Sequence, residues 1–303
     1  MTNAIDVNEL TKTYGDLRAV DGLSFSVPAG QVFALLGPNG AGKSTTVEIL
    51  EGHRTRDGGN VSVLGVDPAT GGRDFRDRIG IVLQEAGIDK ELTVRETIEL
   101  YRHAYTQARP VDEVIELVEL HDKLDTRISR LSGGQRRRVD LALGLVGSPE
   151  LVFLDEPTTG FDPAARRRSW EVIKRLADDG TTVVLTTHYL EEAEQLADNI
   201  IIMSRGQIVA EGTPESLRRH ASTESIIRFE LPRVDARLEE LFEPLVGTVQ
   251  GRDRRVEITT TTPTADLAHI TGWAVGRGIE LSGLVVEHLT LEDVYLRLVG
   301  DEA

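Results

Sequence analysis

The segment Gln31–Thr45, QVFALLGPNGAGKST, limits the possible folds more than any other stretch of the chain. QVFALLG is an apolar run of buried-strand length, and STTVEILEG from Ser44 onward has helical spacing. Between them, Gly37-Pro38-Asn39-Gly40-Ala41-Gly42-Lys43-Ser44 fits the pattern G-x-x-x-x-G-K-[ST], and Thr45 follows. Its glycines let bare backbone N–H groups curl around phosphate oxygens at a helix N-terminus. Lys43 supplies a point charge for the β- and γ-phosphates, and Ser44 offers a hydroxyl to Mg²⁺. A nucleotide-binding α/β core is the expectation.

The rest of the chain extends this pattern. Strand-length apolar runs recur at RIGIVLQ, LVFLDEP, TTVVLTTH and NIIIMSRGQIVAEG. From Leu92 to Val146 the period turns helical, which predicts a sheet interrupted by a block of helices. The composition shifts near His220. Beyond it, SIIRFEL, VDARLEELFEPL, RRVEITT, TADLAHITGWAVG, IELSGLVVEH and TLEDVYLRLVG predict a small α+β domain. Thr290 and Asp293 have capping-box spacing for the last helix, which carries an apolar stripe at Leu291, Val294, Tyr295 and Leu298.

Bulk properties remove several functions. At 303 residues two domains are expected. A net charge of -16 argues against a direct nucleic-acid surface. The short basic runs Arg136–Arg138 and Arg166–Arg168 fall in helical patterns and read as solvated faces. Without cysteine there is neither a disulfide framework nor a cysteine-based metal site. The start MTNAIDVNEL shows no signal-peptide pattern, and no apolar run approaches eighteen residues, so any membrane span is expected from another polypeptide.

Several polar residues end apolar strands. Asp155 and Glu156 close LVFLDE; Asp155 is placed for Mg²⁺, and Glu156 on the opposite face can polarise a water for in-line attack. His188 ends TTVVLTTH on a strand expected to run parallel to those bearing the glycine loop and Asp155. The other histidines read as structural. Gln84 ends RIGIVLQ and could bind Mg²⁺ or the attacking water. A guanine-reading [NT]-K-x-D is missing, which favours adenine, and Tyr14 could stack on its ring or be a buried strand tyrosine. Finally, Ser132-Gly133-Gly134-Gln135 opens a second helix with bare amides, a second γ-phosphate clamp. A neighbouring copy would bring it to the nucleotide more simply than one chain folding back.

Taken in order, Tyr14, GPNGAGKST, Gln84, LSGGQ, LVFLDEP, GFDP (Gly160–Pro163) and His188 resemble the ATP-binding cassette ATPases over residues 3 to 220. The resemblance implies a P-loop, RecA-like α/β core with an antiparallel β subdomain and an α-helical subdomain at about 88–148, all within 1–220. An accessory α+β domain at 221–303 would follow. ATP and Mg²⁺ would be the cofactors. LSGGQ of one cassette would close on the partner's nucleotide in a homodimer. Tyr14 would stack on adenine, Gln84 touch water and Mg²⁺, Glu156 act as base, His188 sense the γ-phosphate, and Asp162 link the two sites. Phe161 departs from the family's usual leucine. The chain further resembles the daunorubicin–doxorubicin exporter type. This implies efflux through a separate membrane permease docked near Gln84 and the helix beginning about Thr93. The protein would then be peripheral at the cytoplasmic face of the cell membrane. The last domain would be a dimer brace or a regulatory or permease-contacting module. A non-transport cassette on DNA or the ribosome is the alternative; the short gap before LSGGQ and the single cassette speak against it.

Overall fold

The computed structural model describes residues 2–82, 87–221, 225–231, 245, 248–252, 254–288 and 291–299. Gln84, Thr290 and nearly all of the segment VDARLEELFEPL lie outside the described residues. The chain divides into two compact units, Met1–Pro214 and Glu215–Ala303. The division falls slightly N-terminal of 220, where helix Pro214–Ala221 begins.

The first unit holds two sheets. Strands β1 (Asn3–Tyr14), β2 (Leu17–Pro28) and β4 (Gly58–Val63) form an antiparallel sheet in the order β2-β1-β4. The second sheet contains β3 (Val32–Leu36), β5 (Ile79–Val82), β6 (Leu151–Asp155), β7 (Thr182–Thr186), β8 (Asn199–Ser204) and β9 (Gln207–Gly212) in the order β5-β6-β7-β3-β8-β9. All its pairings are parallel except the β8–β9 hairpin. Parallel pairing buries strands on both faces, which is why β3 and β7 read as unbroken apolar runs rather than alternating ones. One core joins the two sheets, with Phe25 of β2 stacked on Phe33 of β3 at 5.6 Å. Each large apolar side chain sunk there contributes about 1.5–3 kcal/mol, an upper figure because the unfolded chain is itself partly collapsed.

Between β5 and β6 lie α3 (Val94–Arg102), α4 (Val111–Leu117) and α5 (Gly133–Leu145). Thr93 caps α3 in a reciprocal box with Glu96, so the helix begins where the S/T-x-x-E spacing places it. Helix α5 rests on β5 through a pair of glycines. A Cβ on Gly80 would lie 2.0 Å from the Gly144 carbonyl oxygen, so no larger residue fits that approach. The remaining α-helices among the described residues of this unit are α1 (Lys43–Leu50), α2 (Gly72–Asp77), α6 (Pro163–Asp178) and α7 (Leu190–Leu196).

In the second unit, four antiparallel strands follow α8 (Pro214–Ala221): β10 (Ser225–Glu230), β11 (Thr248–Arg252), β12 (Arg255–Thr260) and β13 (Ser282–His288), in the order β11-β12-β10-β13. Helix α9 (Pro263–Gly276) packs Ile270, Trp273 and Ala274 onto Ile227, Phe229, Val256 and Ile258. Helix α10 (Leu291–Val299) closes the chain; Leu291 of the apolar stripe is buried, whereas Leu298 is exposed. No helix among the described residues is long and apolar enough to cross a membrane.

Candidate active site

Strands β3, β6 and β7 are parallel neighbours, so their carboxyl ends open at one edge of the sheet. That edge is where an open α/β sheet binds ligands. The five residues of β3 are buried, and the chain then turns through Gly37–Gly42 into α1. Gly42 caps the helix at φ 99, and a Cβ there would lie 2.3 Å from the Ala19 carbonyl oxygen. Only glycine meets both demands. Asn39, Gly40 and Ser44 are exposed, Pro38 and Thr45 half-buried, and Gly37 and Ala41 buried.

Lys43 is 8 % exposed, and its Nζ donates to the carbonyls of Gly37 at 2.7 Å and Pro38 at 3.0 Å. Burial pulls its pKa down, and the nearby carboxylates of Glu156 and Asp155 work against that. An ammonium held out of water beside two acids is a charge prepared to meet an anion.

The acids stand on β6 and just past it. Asp155 is half-buried and accepts from the hydroxyl of Thr186, its register partner on β7. Glu156 leaves the strand in the left-handed region, φ 46, with its N–H donating to the Thr186 carbonyl at 3.0 Å. Its carboxylate sits between His188, whose Nδ1 is 3.0 Å from Oε1, and Thr159, whose hydroxyl donates to Oε2 at 3.0 Å. A left-handed glutamate is strained by about 1–3 kcal/mol, and such strain clusters where a side chain must be aimed.

The second glycine turn is built as a cap. Gln135 N donates to Ser132 Oγ at 3.2 Å and Ser132 N to Gln135 Oε1 at 3.0 Å, which leaves Gly133 and Gly134 at the start of α5. Asp162 caps α6 by accepting alone; the N–H groups of Ala165 and Ala164, each at 2.9 Å, hold its carboxyl below the usual range. The two caps share a cavity of about 380 Å³ lined by Ser132, Gly134, Gln135, Arg138, Asp162 and Arg168.

Lys43, Asp155, Glu156 and His188 thus come together, and the Ser132–Gln135 turn gathers with Asp162 around a separate cavity. Tyr14, 38 % exposed, ends β1 with Arg54 Cζ at 5.3 Å and Lys12 Nζ at 5.5 Å from its ring centre. Gln84 is outside the described residues. Sequence reasoning missed Thr186 and Thr159, because an interior threonine in an apolar strand carries no signal of what its hydroxyl touches. One basic run also departs from expectation. Arg137 is buried rather than solvated, because its helix position faces β6.

A family model described as ABC transporter matches residues 20–159, and one described as an ABC transporter domain-containing protein-like C-terminal domain matches 225–290. The chain is 38% identical over 318 residues to the daunorubicin/doxorubicin resistance ATP-binding protein DrrA of Streptomyces peucetius, covering 100% of this chain and 94% of that one. It is 39% identical to the Nod factor export ATP-binding protein I of Rhizobium sp. (strain N33), covering 99% and 98%. Among solved structures, an ATP-binding subunit of an ABC transporter superposes with TM-score 0.65 at 28% identity, over 72% of this chain and 93% of that one. A dimeric post-hydrolysis ATP-binding cassette bound to ADP and Pi superposes at 0.62 and 26%, over 69% and 98%.

Proposed function

The chain belongs to the ATP-binding cassette (ABC) transporter family and is an ATPase, and on that premise we propose that it powers export through a separate membrane permease. The observation that carries the reading is the convergence of Lys43, Asp155 and the gripped Glu156 at one sheet edge. In this reading Lys43 binds the β- and γ-phosphates within the amides of Gly37–Thr45, and Tyr14 stacks on adenine. Glu156 takes the proton of the attacking water, and His188, hydrogen-bonded to it, also meets the γ-phosphate.

The donor set fits Mg²⁺. Asp155 offers a carboxylate oriented by Thr186, Ser44 an exposed hydroxyl, and Gln84 is a further candidate. Few protein oxygens with phosphate and water completing the shell is the usual manner of holding this ion. Bound there, Mg²⁺ would neutralise charge on the phosphates.

The cap at Ser132–Gln135 would serve the nucleotide of a second copy, with Asp162 beside it at the interface. ATP then favours the closed dimer because only that state makes the extra contacts. The unit from Glu215 onward is assigned to assembly, as a dimer brace or a permease-contacting module. The relatives' roles in drug resistance and Nod factor export support efflux over a role on DNA or the ribosome, and a peripheral position at the cytoplasmic face of the membrane belongs to the same reading.

The test is to recover the tagged Glu156→Gln chain with ATP and Mg²⁺ from gently solubilised cells. A co-purifying multi-span membrane protein without its own cassette is the expected outcome. Ribosomal or chromosomal material without such a protein would overturn the export assignment.

A further inference from the structure

Arg137 lies on α5 one turn past the Ser132 cap and is 9 % exposed. Its Nη2 donates to the carbonyls of Asp155 at 2.6 Å and Glu156 at 3.3 Å, and its Nε to that of Pro157 at 3.3 Å. These carbonyls lie where the β6–β7 ladder stops, at Asp155 opposite Thr186. Two carboxylates act on the same guanidinium. Asp140, one turn on, has Oδ2 at 3.9 Å from Nη1, and Glu192 of α7 lies close enough for its charge to act on the guanidinium.

Glu192 is fully buried, accepting at Oε1 from the Thr158 hydroxyl at 2.7 Å and from Trp170 Nε1 at 3.1 Å. Its Oε2, like Asp140 Oδ1, has no hydrogen-bond partner among the described residues. Two half-satisfied carboxylates around one buried cation are a poor route to stability, since apolar residues of similar shape often do as well. The arrangement has a better explanation in geometry. A planar guanidinium can grip successive carbonyls at fixed angles, which an apolar side chain cannot.

We propose that Arg137 is a positioning residue for ATP hydrolysis: flanked by Asp140 and Glu192, it holds the carbonyls of Asp155, Glu156 and Pro157 and so fixes the left-handed turn that aims the Glu156 carboxylate. The inference rests on Glu156 acting as the base.

The test is a double-mutant cycle of Arg137→Gln with Glu156→Gln in the full chain, reading ATP affinity, turnover and Tm. Arg137→Gln lowers kcat by about ten- to a hundredfold while ATP affinity stays within about twofold, because the phosphate loop is untouched. Arg137→Lys keeps the charge without the fork and recovers part of the rate. In the Glu156→Gln chain, Arg137→Gln removes nothing further from the residual turnover. The same proportional fall in both backgrounds would mean a merely structural role and overturn the proposal. If Arg137→Gln does not fold, Arg137→Lys and Glu192→Gln carry the cycle, with a smaller fall in kcat and the same absence of a further fall in the Glu156→Gln chain. An inactive Glu156→Gln chain beside a full-rate Arg137→Gln chain overturns this inference alone. A Glu156→Gln chain at wild-type rate overturns the role given to Glu156 and this inference with it.

Discussion

Replacing Thr186 with valine removes one hydroxyl and keeps the shape of a side chain that is 1 % exposed. That hydroxyl donates to Asp155, whereas Glu156 N keeps its 3.0 Å bond to the Thr186 carbonyl whatever the side chain. The hydroxyl also accepts from Glu156 N at 3.3 Å, the weaker branch of that shared N–H, so the net loss is one hydrogen bond to a charged group and one weak branch. Such bonds contribute about 1.5–3 kcal/mol, and water recovers part of this at half-buried Asp155, so the cost should be about 1–2 kcal/mol. For a unit of this size that lowers Tm by about 2–8 °C. The sharper consequence concerns the metal. Without Thr186 the Asp155 carboxylate is free to turn, and the Mg²⁺ concentration for half-maximal hydrolysis should rise severalfold. Thr182→Val is the control, because Thr182 lies at the other end of β7 and its hydroxyl accepts from Gly30 N at 3.0 Å. It should cost about 0.5–1.5 kcal/mol and leave the Mg²⁺ titration unchanged. Calorimetry and hydrolysis titrated with Mg²⁺ on both variants give the answer. Identical Mg²⁺ curves for the two would refute the claim that Thr186 orients a metal ligand.

Further outcomes are expected at the same site. Glu156→Gln should cut turnover to a small residual rate and accumulate an ATP-bound dimer in gel filtration; a chain that stays monomeric in saturating ATP counts against closure by the nucleotide. Lys43→Ala should weaken nucleotide binding and reduce hydrolysis on the order of a hundredfold or more, and a near-wild-type rate would remove Lys43 from the mechanism. Glu51 is 6 % exposed, and burial first, then Asp155 and Glu48, pushes its carboxyl from 4.5 up to about 8. The folded chain then holds a proton that the unfolded chain has lost, so stability falls as pH rises from 4.5 to about 8. Glu51→Gln should remove that slope and gain on the wild type by at most about 1.4 kcal/mol per pH unit in denaturant titrations; parallel curves would refute the assignment.

The edge where Lys43, Asp155, Glu156 and His188 meet was legible because its residues obey strict local rules. A glycine loop between strand and helix, and acids ending a buried strand, each violate ordinary burial preferences unless a ligand is expected. The helical block followed from its period and the sheet from strand-length apolar runs, whose lack of alternation matches the continuous burial of β3 and β7. Arg137 lies beyond the reach of periodicity. Three consecutive arginines sweep more than half of a helix circumference, so periodicity cannot say which one faces inward. Glu192 hides similarly within the acidic run at Glu191–Glu194, and only tertiary packing reveals that it accepts from Trp170 and Thr158. Partnership of this kind depends on residues far apart in sequence, and neither composition nor spacing encodes it.

The chain contains two tryptophans, and each compact unit holds one of them, Trp170 in the first and Trp273 in the second. Both are buried, Trp170 donating to Glu192 and Trp273 lying under the Arg277 guanidinium at 4.9 Å. Intrinsic fluorescence therefore separates by unit, since Trp273→Phe leaves the first as sole emitter and Trp170→Phe leaves the second. Because Trp170 shares its carboxylate partner with Thr158, just past the Glu156 turn, its emission reports in real time, without an attached dye, whether that turn stays in place when nucleotide binds.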